Sequence, residues 1–404
     1  MMKSIVRCVA AAACAAVLPA FGQEAEQADF PCDRAVEVFS AGEGNPYSSI
    51  RIPALISLGP GQLMAFAEGR YSNADQGQND IIMSISKDGG KTWSPAKAIA
   101  KSHGATFNNP SPVYDAKSKT ITVVFQKYPK GVSERQSGIP DGWNDEKCIR
   151  NFMIQSKNGG STWTQPVDIT KTTKRPKGVD IMAFGPNAGV QLKGGPRKGR
   201  LLVPMNEGPF GKWTIACIYS DDGGKSWKSG KQTTNMQGMV NETSIAETDN
   251  GGVVMVARHW GGGNCRRIVW SKDGGVTWGE VENAPELFCD STQNSLMTYS
   301  LSNQLGYGGK SRLIFTGPGA NRRIKGTIAM SYDNGKTWPV KKLLGNGGFA
   351  YSSTAMVAPG VVGVLYEENE NHIKKLKFVP VTIDWLTDGK DTGLGLGKKA
   401  PVLK

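Results

Sequence analysis

A short motif, Ser-x-Asp/Asn-x-Gly-x-Ser/Thr-Trp, occurs five times in this 404-residue chain and constrains its fold more than any other feature. In this motif the Asp or Asn side chain accepts backbone N–H groups within a tight turn, and glycine supplies the positive φ that such a turn requires. A short β-type run precedes each copy, so each motif predicts the turn of a β-hairpin. The copies occupy residues 86–93, 156–163, 220–227, 271–278 and 331–338.

The spacing of the motifs indicates a repeat architecture. Their starts are about 50 to 70 residues apart, the length of a β-propeller blade with variable loops. The motifs resemble the Asp boxes of the sialidase superfamily, whose fold is a six-bladed β-propeller, and the resemblance covers most of the chain. It implies an all-β propeller of six blades over residues 35–386. The last blade would be closed by residues 35–39 pairing with strands near 361–366 and 373–381.

The two ends of the chain lie outside the predicted propeller. Residues 1–22 combine an early Lys and Arg, an apolar run and a small-x-small ending, which favours a signal peptide over a buried helix. Residues 23–34 are then a lead-in, and residues 387–404 a loosely docked tail rich in Gly and Lys. Beyond residue 22 no apolar run approaches the ~18 residues of a membrane span. We expect a bacterial protein that is secreted or periplasmic.

Composition excludes several classes of function. The formal net charge is +13, but the Lys and Arg are spread along the chain with no nucleic-acid-binding module. The charge therefore suits an acidic substrate better than a nucleic acid. The three His have no metal-ligand spacing, and we expect no metal and no cofactor. Five cysteines follow residue 22, without a C-x-x-C pair, and leave room for one or two disulfides: Cys32, Cys148, Cys217, Cys265 and Cys289.

Three arginines in separate segments are candidates for binding a carboxylate. Arg51 lies in an Arg-Ile-Pro segment that resembles a sialidase motif, and Arg258 and Arg323 stand where the family has its other two arginines. Sialic acid carries a carboxylate on its anomeric carbon, and guanidinium groups bind such a planar anion in a bidentate manner. Arg322 is an alternative to Arg323. The resemblance further implies that Glu367 orients the first arginine.

The same resemblance identifies a catalytic set. Tyr351 matches the nucleophile of the family, Glu242 matches its base, and Asp75 matches the acid/base residue; Asp80 is the competing acid. A neutral phenol can approach an anomeric carbon that already bears a carboxylate, but it needs a base because its free pKa is ~10. The implied activity is that of an exo-α-sialidase, which hydrolyses terminal sialosides with retention through a sialyl-tyrosine intermediate.

Other residues are candidates for secondary substrate contacts. Arg70, Asn109 and Gln191 resemble residues that contact the sugar's side groups in the family. Trp143 and Trp213 are candidates for apolar walls of the pocket. Each of these residues has a purely structural role as its alternative.

Three alternative functions share part of this pattern. A sialic-acid-binding propeller would keep the arginines but lose the catalytic residues, and this chain retains all three. A trans-sialidase, or an enzyme that releases an anhydro sugar, would use the same catalytic set. Such variants usually carry an added lectin-like domain, which the predicted boundaries leave no room for, so hydrolysis is favoured. The expected substrates are sialylated glycans of glycoproteins, mucins, glycolipids or oligosaccharides.

Overall fold

The structure is a computed structural model that describes residues 29–42, 44–288, 292–320, 322–368 and 375–395. The predicted signal peptide lies outside the described residues, as do Cys289 and residues 396–404 of the predicted tail. Within the described ranges, no helix is long and apolar enough to cross a membrane. The four described cysteines have free thiols: Cys32, Cys148, Cys217 and Cys265.

Short β-strands account for nearly all of the regular structure. The first nine strands are β1 (Val36–Ser40), β2 (Ser49–Gly59), β3 (Gln62–Arg70), β4 (Asn79–Ser86), β5 (Lys97–Ala100), β6 (Thr106–Asp115), β7 (Thr120–Tyr128), β8 (Arg150–Ser156) and β9 (Val167–Asp168). Nine more follow: β10 (Ile181–Phe184), β11 (Val190–Gln191), β12 (Leu201–Gly208), β13 (Thr214–Ser220), β14 (Lys228–Ser229), β15 (Val240–Glu247), β16 (Val253–His259), β17 (Cys265–Ser271) and β18 (Glu282–Phe288).

The last seven strands are β19 (Ser295–Ser300), β20 (Arg312–Pro318), β21 (Gly326–Ser331), β22 (Val340–Leu343), β23 (Ser352–Ala358), β24 (Val361–Glu367) and β25 (Lys375–Thr382). The helical segments of the described chain are two single-turn α-helices and two short 3-10 helices: Thr170–Thr173, Ile383–Leu386, Pro31–Arg34 and Asp249–Gly251.

The strands form sheets that pack face to face in a closed ring. Most sheets are antiparallel meanders of consecutive strands: β15 to β18, β19 to β22, and β10, β12, β13 and β14 in that order, with β11 on β12. One eight-stranded sheet joins β2 to β5 with β6 to β9. The innermost strands contact one another from sheet to sheet, and the first of them, β2, contacts the last, β23. The fold is an all-β propeller, as the motif spacing predicts.

The two ends of the chain meet in one sheet. β1 pairs antiparallel with β25, with Val36 opposite Phe378, and β25 pairs with β24. This confirms the predicted closure of the ring by residues near the amino terminus. The hydrophobic cluster around it contains residues from both ends, including Val38 and Leu376. Closure is therefore secured by burial as well as by backbone hydrogen bonds.

The repeated motifs form hairpin turns between the third and fourth strands of their meanders, as predicted. In the first motif, Asp88 accepts the backbone N–H of Thr92 at 3.0 Å and its hydroxyl at 2.5 Å, while Ser86 Oγ accepts the N–H of Gly90 at 2.8 Å. Gly90 has a φ of +90°, and a Cβ there would lie 2.0 Å from the ring of Phe378. Only glycine satisfies both the turn and the close approach.

Acid should weaken this turn selectively. Hydrogen bonds from Thr92 hold the pKa of Asp88 down, to about 2, so its contribution to stability is present above pH ~4 and is lost as the pH falls towards 2. We expect Asp88→Ala to lower the free energy of unfolding by about 1 kcal/mol at neutral pH, and by less at acid pH. Urea unfolding at pH 7 and pH 3 measures the difference. The second motif has Asn158, which cannot ionise, so Asn158→Ala is the matched control, and an equally pH-dependent loss there would contradict this explanation.

The predicted loose docking of the tail is wrong for residues 387–395. Arg312 is 1% exposed, and Asp391 accepts its Nε at 2.8 Å and its Nη2 at 2.9 Å. The carbonyl oxygen of Gly393 accepts the hydroxyl of Tyr299 at 3.0 Å. Because a buried guanidinium requires a counter-charge, Arg312 holds this segment against the propeller.

Candidate active site

The predicted site residues converge on one pocket at the end of the ring opposite the Asp-box turns. The pocket has a volume of about 200 Å³ and is lined by residues from the starts or ends of inner strands and the loops between them. Of the predicted residues, it is lined by Arg51, Arg70, Asp75, Asn109, Trp213, Glu242, Arg258, Arg323 and Tyr351.

Backbone bulges direct several of these side chains. Strand pairing shifts register between Arg51 and Ala54, between Asn108 and Ser111, and between Val240 and Thr243. Each bulge lies at the pocket end of its strand. A bulge bends a strand and re-aims its side chains, which places two successive residues on the same side as the pocket. The bulges thus explain how ordinary β-strands present several polar groups to one point.

The first bulge is conformationally strained. Ile52 has a φ of +63°, a region that a β-branched residue rarely occupies. Its N–H donates to Glu367 Oε1 at 2.9 Å, which fixes the unusual geometry. Strain of this kind persists only where the surroundings enforce it, and it clusters at functional sites. Here it turns Arg51 towards the pocket.

Tyr351 and Glu242 are in close contact in the pocket. The Tyr351 hydroxyl donates to Glu242 Oε1 at 2.5 Å, and Arg258 Nη1 lies 2.9 Å from Glu242 Oε2 and 3.4 Å from the Tyr351 oxygen. Tyr351 is only 4% exposed. The arrangement pairs a phenol with a carboxylate positioned to take its proton, as the sequence predicts.

The electrostatics of Tyr351 oppose its ionisation before a substrate arrives. Burial raises the pKa of Tyr351 far above its ordinary value, and the charge of Glu242 raises it further, while Arg258, Arg51 and Arg323 lower it in part. The guanidinium carbons of Arg51 and Arg323 lie 5.0 and 5.6 Å from the centre of its ring. The free phenol is therefore neutral and needs a base to become a nucleophile.

Glu367 anchors Arg51 from below the pocket. It is fully buried and accepts Arg51 Nε and Nη2, both at 3.1 Å, in a bidentate pair. It also accepts the backbone N–H of Tyr351 at 3.2 Å. Burial raises the pKa of Glu367, but Arg51, the Ile52 N–H and Arg323 together outweigh burial, and the net pKa is lowered. One carboxylate thus positions both the first arginine and the tyrosine.

Asp75 is held over the pocket by Arg70. Its Oδ1 lies 2.7 Å from Arg70 Nη1 and 3.8 Å from Arg51 Nη1, and its side chain is half-exposed. Burial raises its pKa, but Arg70 and then Arg51 more than offset this, so the net pKa of Asp75 is lowered. Arg70 is itself fixed by the buried Glu68 at 2.7 Å. In the free site Asp75 is ionised at neutral pH.

The structure distinguishes between the two candidates for the third arginine and between the two candidates for the acid. Arg323 lines the pocket, whereas Arg322 is exposed and does not line it. Asp80 is 1% exposed and accepts the backbone N–H of Ser102 at 2.8 Å and the hydroxyl of Tyr47 at 3.1 Å, so it has a structural role. Asn109 lines the pocket, and its N–H donates to Glu68 at 2.7 Å.

The prediction that Gln191 lines the pocket is wrong. Its strand β11 pairs with Leu201 at the start of β12, and the pocket residue of β12 is Asn206, towards the other end. Gln191 instead donates to Asp115 at 2.6 Å. Trp143 also lies elsewhere, beside a separate surface pocket with Arg150. Gln191 stands away from the pocket because strand register, and not order along the chain, decides which end of the sheet a strand residue occupies.

Sequence reasoning missed part of the pocket wall. The remaining lining residues include Gln126, Tyr128, Glu134, Arg135, Asn206 and Trp260. Glu134 and Arg135 belong to the long connection between β7 and β8, which carries no repeat motif. Phe210, Trp213 and Trp260 form an aromatic cluster with ring centres 5.3 to 6.3 Å apart. The only sequence signal for these residues is that their segments precede or follow strands that carry predicted site residues.

Comparisons with known proteins agree with this geometry. Residues 61–364 match the BNR repeat-like domain family. A sialidase of Micromonospora viridifaciens is 29% identical over 85% of this chain and 53% of its own length, and one of Bacteroides fragilis is 30% identical over 84% and 63%. The chain thus spans between half and two thirds of these relatives.

Among solved structures, the Hadza microbial sialidase Hz136 superposes with a TM-score of 0.77 at 25% identity, covering 87% of this chain and 69% of that one. The Asp-box turns, the closed ring of sheets and these matches lead to one conclusion. The chain belongs to the BNR repeat-like domain family and is similar to sialidases over most of its length.

Proposed function

We propose that the protein is an exo-α-sialidase that hydrolyses terminal sialic acid from glycans with retention at the anomeric carbon. The observation that carries the proposal is the 2.5 Å contact between the Tyr351 hydroxyl and Glu242, in a pocket that also holds three predicted carboxylate-binding arginines. A binding protein has no need of a base against a buried phenol. The sialidase relatives support the same reaction.

Binding begins with the arginines. Arg51, Arg258 and Arg323 form a cationic wall that would hold the sugar's carboxylate, with Arg51 already oriented by its bidentate contact to Glu367. Because Glu367 and Glu242 hold the guanidinium groups of Arg51 and Arg258 before the sugar arrives, these two side chains lose little entropy on binding. The carboxylate then sets the anomeric carbon above the Tyr351 oxygen.

The covalent step uses three side chains. Glu242 takes the proton of Tyr351 as its oxygen attacks the anomeric carbon, and the bond to the glycosidic oxygen breaks with a proton supplied by Asp75. Water, deprotonated by Asp75, then attacks the sialyl-tyrosine, and the phenolate recovers its proton from Glu242. Two displacements at one carbon give net retention. The negative charge of the bound substrate partly neutralises Arg51, so that Arg51 stabilises the ionised form of Asp75 less. The pKa of Asp75 therefore rises towards the range that a general acid needs.

The role of Asp75 is testable through the leaving group. Wild type should release free sialic acid from both sialyl-lactose and a methylumbelliferyl sialoside. For Asp75→Ala we expect kcat/KM to fall at least about a hundredfold on sialyl-lactose, whose alcohol leaving group needs a proton, and less than about tenfold on the aryl sialoside. Asp168→Ala, an exposed carboxylate away from the pocket, is the control.

Each outcome bears on a separate part of the proposal. An equal loss of kcat/KM on the two substrates would show that Asp75 is not the general acid. If wild type releases nothing from either substrate, the hydrolase function is overturned. Identification of the released sugar by mass distinguishes hydrolysis from formation of an anhydro sugar.

Six blades and an extracytoplasmic location complete the proposal. The eight-stranded sheet divides into two four-stranded antiparallel units that are linked through the single parallel pair of Asn79 and Thr106. Counting these units separately supports six blades, the number that the family resemblance implies. The signal-peptide pattern of residues 1–22 supports action on glycoproteins, mucins or glycolipids outside the cytoplasm.

A further inference from the structure

One carboxyl group in the pocket has no place in the catalytic steps above. Glu134 lies in the connection between β7 and β8, half-buried, and lines the pocket. Among the described residues, no hydrogen bond or ion pair reaches its carboxyl group. Every other acid in or beneath the pocket contacts an arginine, as in the pairs Glu68–Arg70, Asp75–Arg70, Glu242–Arg258 and Glu367–Arg51. Glu134 is thus the acid that the pocket arginines leave unmatched.

The surroundings of Glu134 disfavour its charge. Burial raises the pKa of Glu134 to about 7, with help from the negative charges of Asp75 and Glu242, while Arg135 and Arg258 oppose the rise. Arg135 is exposed and its guanidinium carbon lies 5.7 Å from the centre of the Phe210 ring. The neighbouring phenol of Tyr128 is buried and neutral. No adjacent cation is therefore dedicated to an ionised Glu134.

A bound anionic sugar would further disfavour the ionised form of Glu134. Sialic acid brings its own carboxylate into the pocket, which repels an ionised Glu134 but not a neutral one. A neutral carboxylic acid can also donate a hydrogen bond, whereas a carboxylate only accepts. Hydroxyl, carbonyl and ring oxygens of the sugar are all acceptors, so the neutral form is the better partner.

We propose that Glu134 is a substrate-binding residue that works as a neutral carboxylic acid, donating a hydrogen bond to an oxygen of the bound sialic acid, so that sugar binding near neutral pH takes up a proton. The proposal rests on the proposed function, because it needs a sialic acid in this pocket. Below pH ~7 the group already carries its proton, and no uptake occurs there. Above that pH each bound sugar must bring one proton with it, so affinity falls as the pH rises.

Isothermal titration of the wild-type protein with N-acetylneuraminic acid tests the idea. The sugar stays ionised between pH 6 and pH 8.5, so only the protein titrates. We expect the dissociation constant to rise about tenfold or more from pH 6 to pH 8.5. In two buffers with different ionisation enthalpies at pH 8, the apparent enthalpies should differ by the amount expected for about one proton taken up. Asp75 is also ionised in the free site, and the Glu134→Gln variant, which keeps Asp75, separates the two carboxyl groups.

Three variants isolate the contribution of Glu134. In Glu134→Gln, which cannot ionise, the dissociation constant should vary less than about threefold over the same range, with no proton uptake. Glu146→Gln, an exposed acid in the same connection, should behave as wild type. Glu134→Asp keeps the carboxyl group and should restore the pH dependence at an altered affinity.

The failures of the two proposals are distinguishable. If N-acetylneuraminic acid does not bind wild type at any pH, the proposed function falls. If it binds with an affinity independent of pH, or if Glu134→Gln keeps the proton uptake, sialic acid binding stands and the role of Glu134 is overturned.

Discussion

Replacing Tyr351 with phenylalanine should lower kcat at least about a thousandfold, because the only atom removed is the one that attacks the anomeric carbon. The ring would remain between Arg51 and Arg323, which lie 5.0 and 5.6 Å from its centre, so the fold and the arginine wall are preserved. The measurement is steady-state release from a methylumbelliferyl sialoside, combined with titration of N-acetylneuraminic acid to show that binding survives.

The control for this change is the same substitution at a tyrosine outside the site. Tyr114 in β6 is partly buried in a hydrophobic cluster, and Tyr114→Phe should leave kcat within about twofold of wild type. Turnover by Tyr351→Phe near the wild-type rate would exclude Tyr351 as nucleophile. Loss of both turnover and sugar binding would instead indicate that its hydroxyl maintains the geometry of Glu242 and Arg258.

The second large effect is expected at Glu367. Glu367→Leu removes the acceptor of Arg51, of the strained Ile52 N–H and of the Tyr351 N–H in one step. Because Arg51 would remain largely buried without its counter-charge, we expect the free energy of unfolding to fall by about 3–5 kcal/mol. Affinity for the sugar should fall as well, since the guanidinium loses its fixed orientation. Urea unfolding and the KM for a methylumbelliferyl sialoside measure the two effects.

An exposed ion pair provides the comparison. Glu37 lies 2.8 Å from Lys375 with both side chains more than 40% exposed, and Glu37→Leu should leave the free energy of unfolding nearly unchanged. A similarly small loss for Glu367→Leu would mean that the bulged segment of β2 around Arg51 rearranges and that its buried ion pair is not essential to the fold.

Local chemistry explains what could be predicted from the sequence. An Asp-box turn is specified by side chains within eight positions, as in the contacts of Asp88 with Thr92, so five copies identify hairpins without knowledge of distant contacts. The arginines and the tyrosine could be identified because their segments resemble those of a known family. These residues converge on one pocket because each lies in or beside a strand, at the same end of the ring.

The remaining features depend on tertiary context. Nothing in the local sequence specifies a φ of +63° at Ile52, because the bulge is fixed by Glu367 from the far end of the chain. Gln191 was misassigned because its position depends on the register of β11 against β12. Glu134 lies in a connection without motif, and the docked segment around Asp391 depends on a buried arginine in β20.

The pairing of β1 with β25 also governs when this protein can become complete. Val36 is synthesised long before its partner Phe378, so the ring cannot close until β25 has been made. Loop-closure entropy must be overcome across all the strands between β1 and β25 before this contact contributes stability, which makes closure a late and slow event in folding. Until then β1 has no strand to pair with, and its backbone groups remain available to other chains. Truncation before β25 would therefore remove more than β25 itself, because β1 would then have no strand to pair with and the ring could not close.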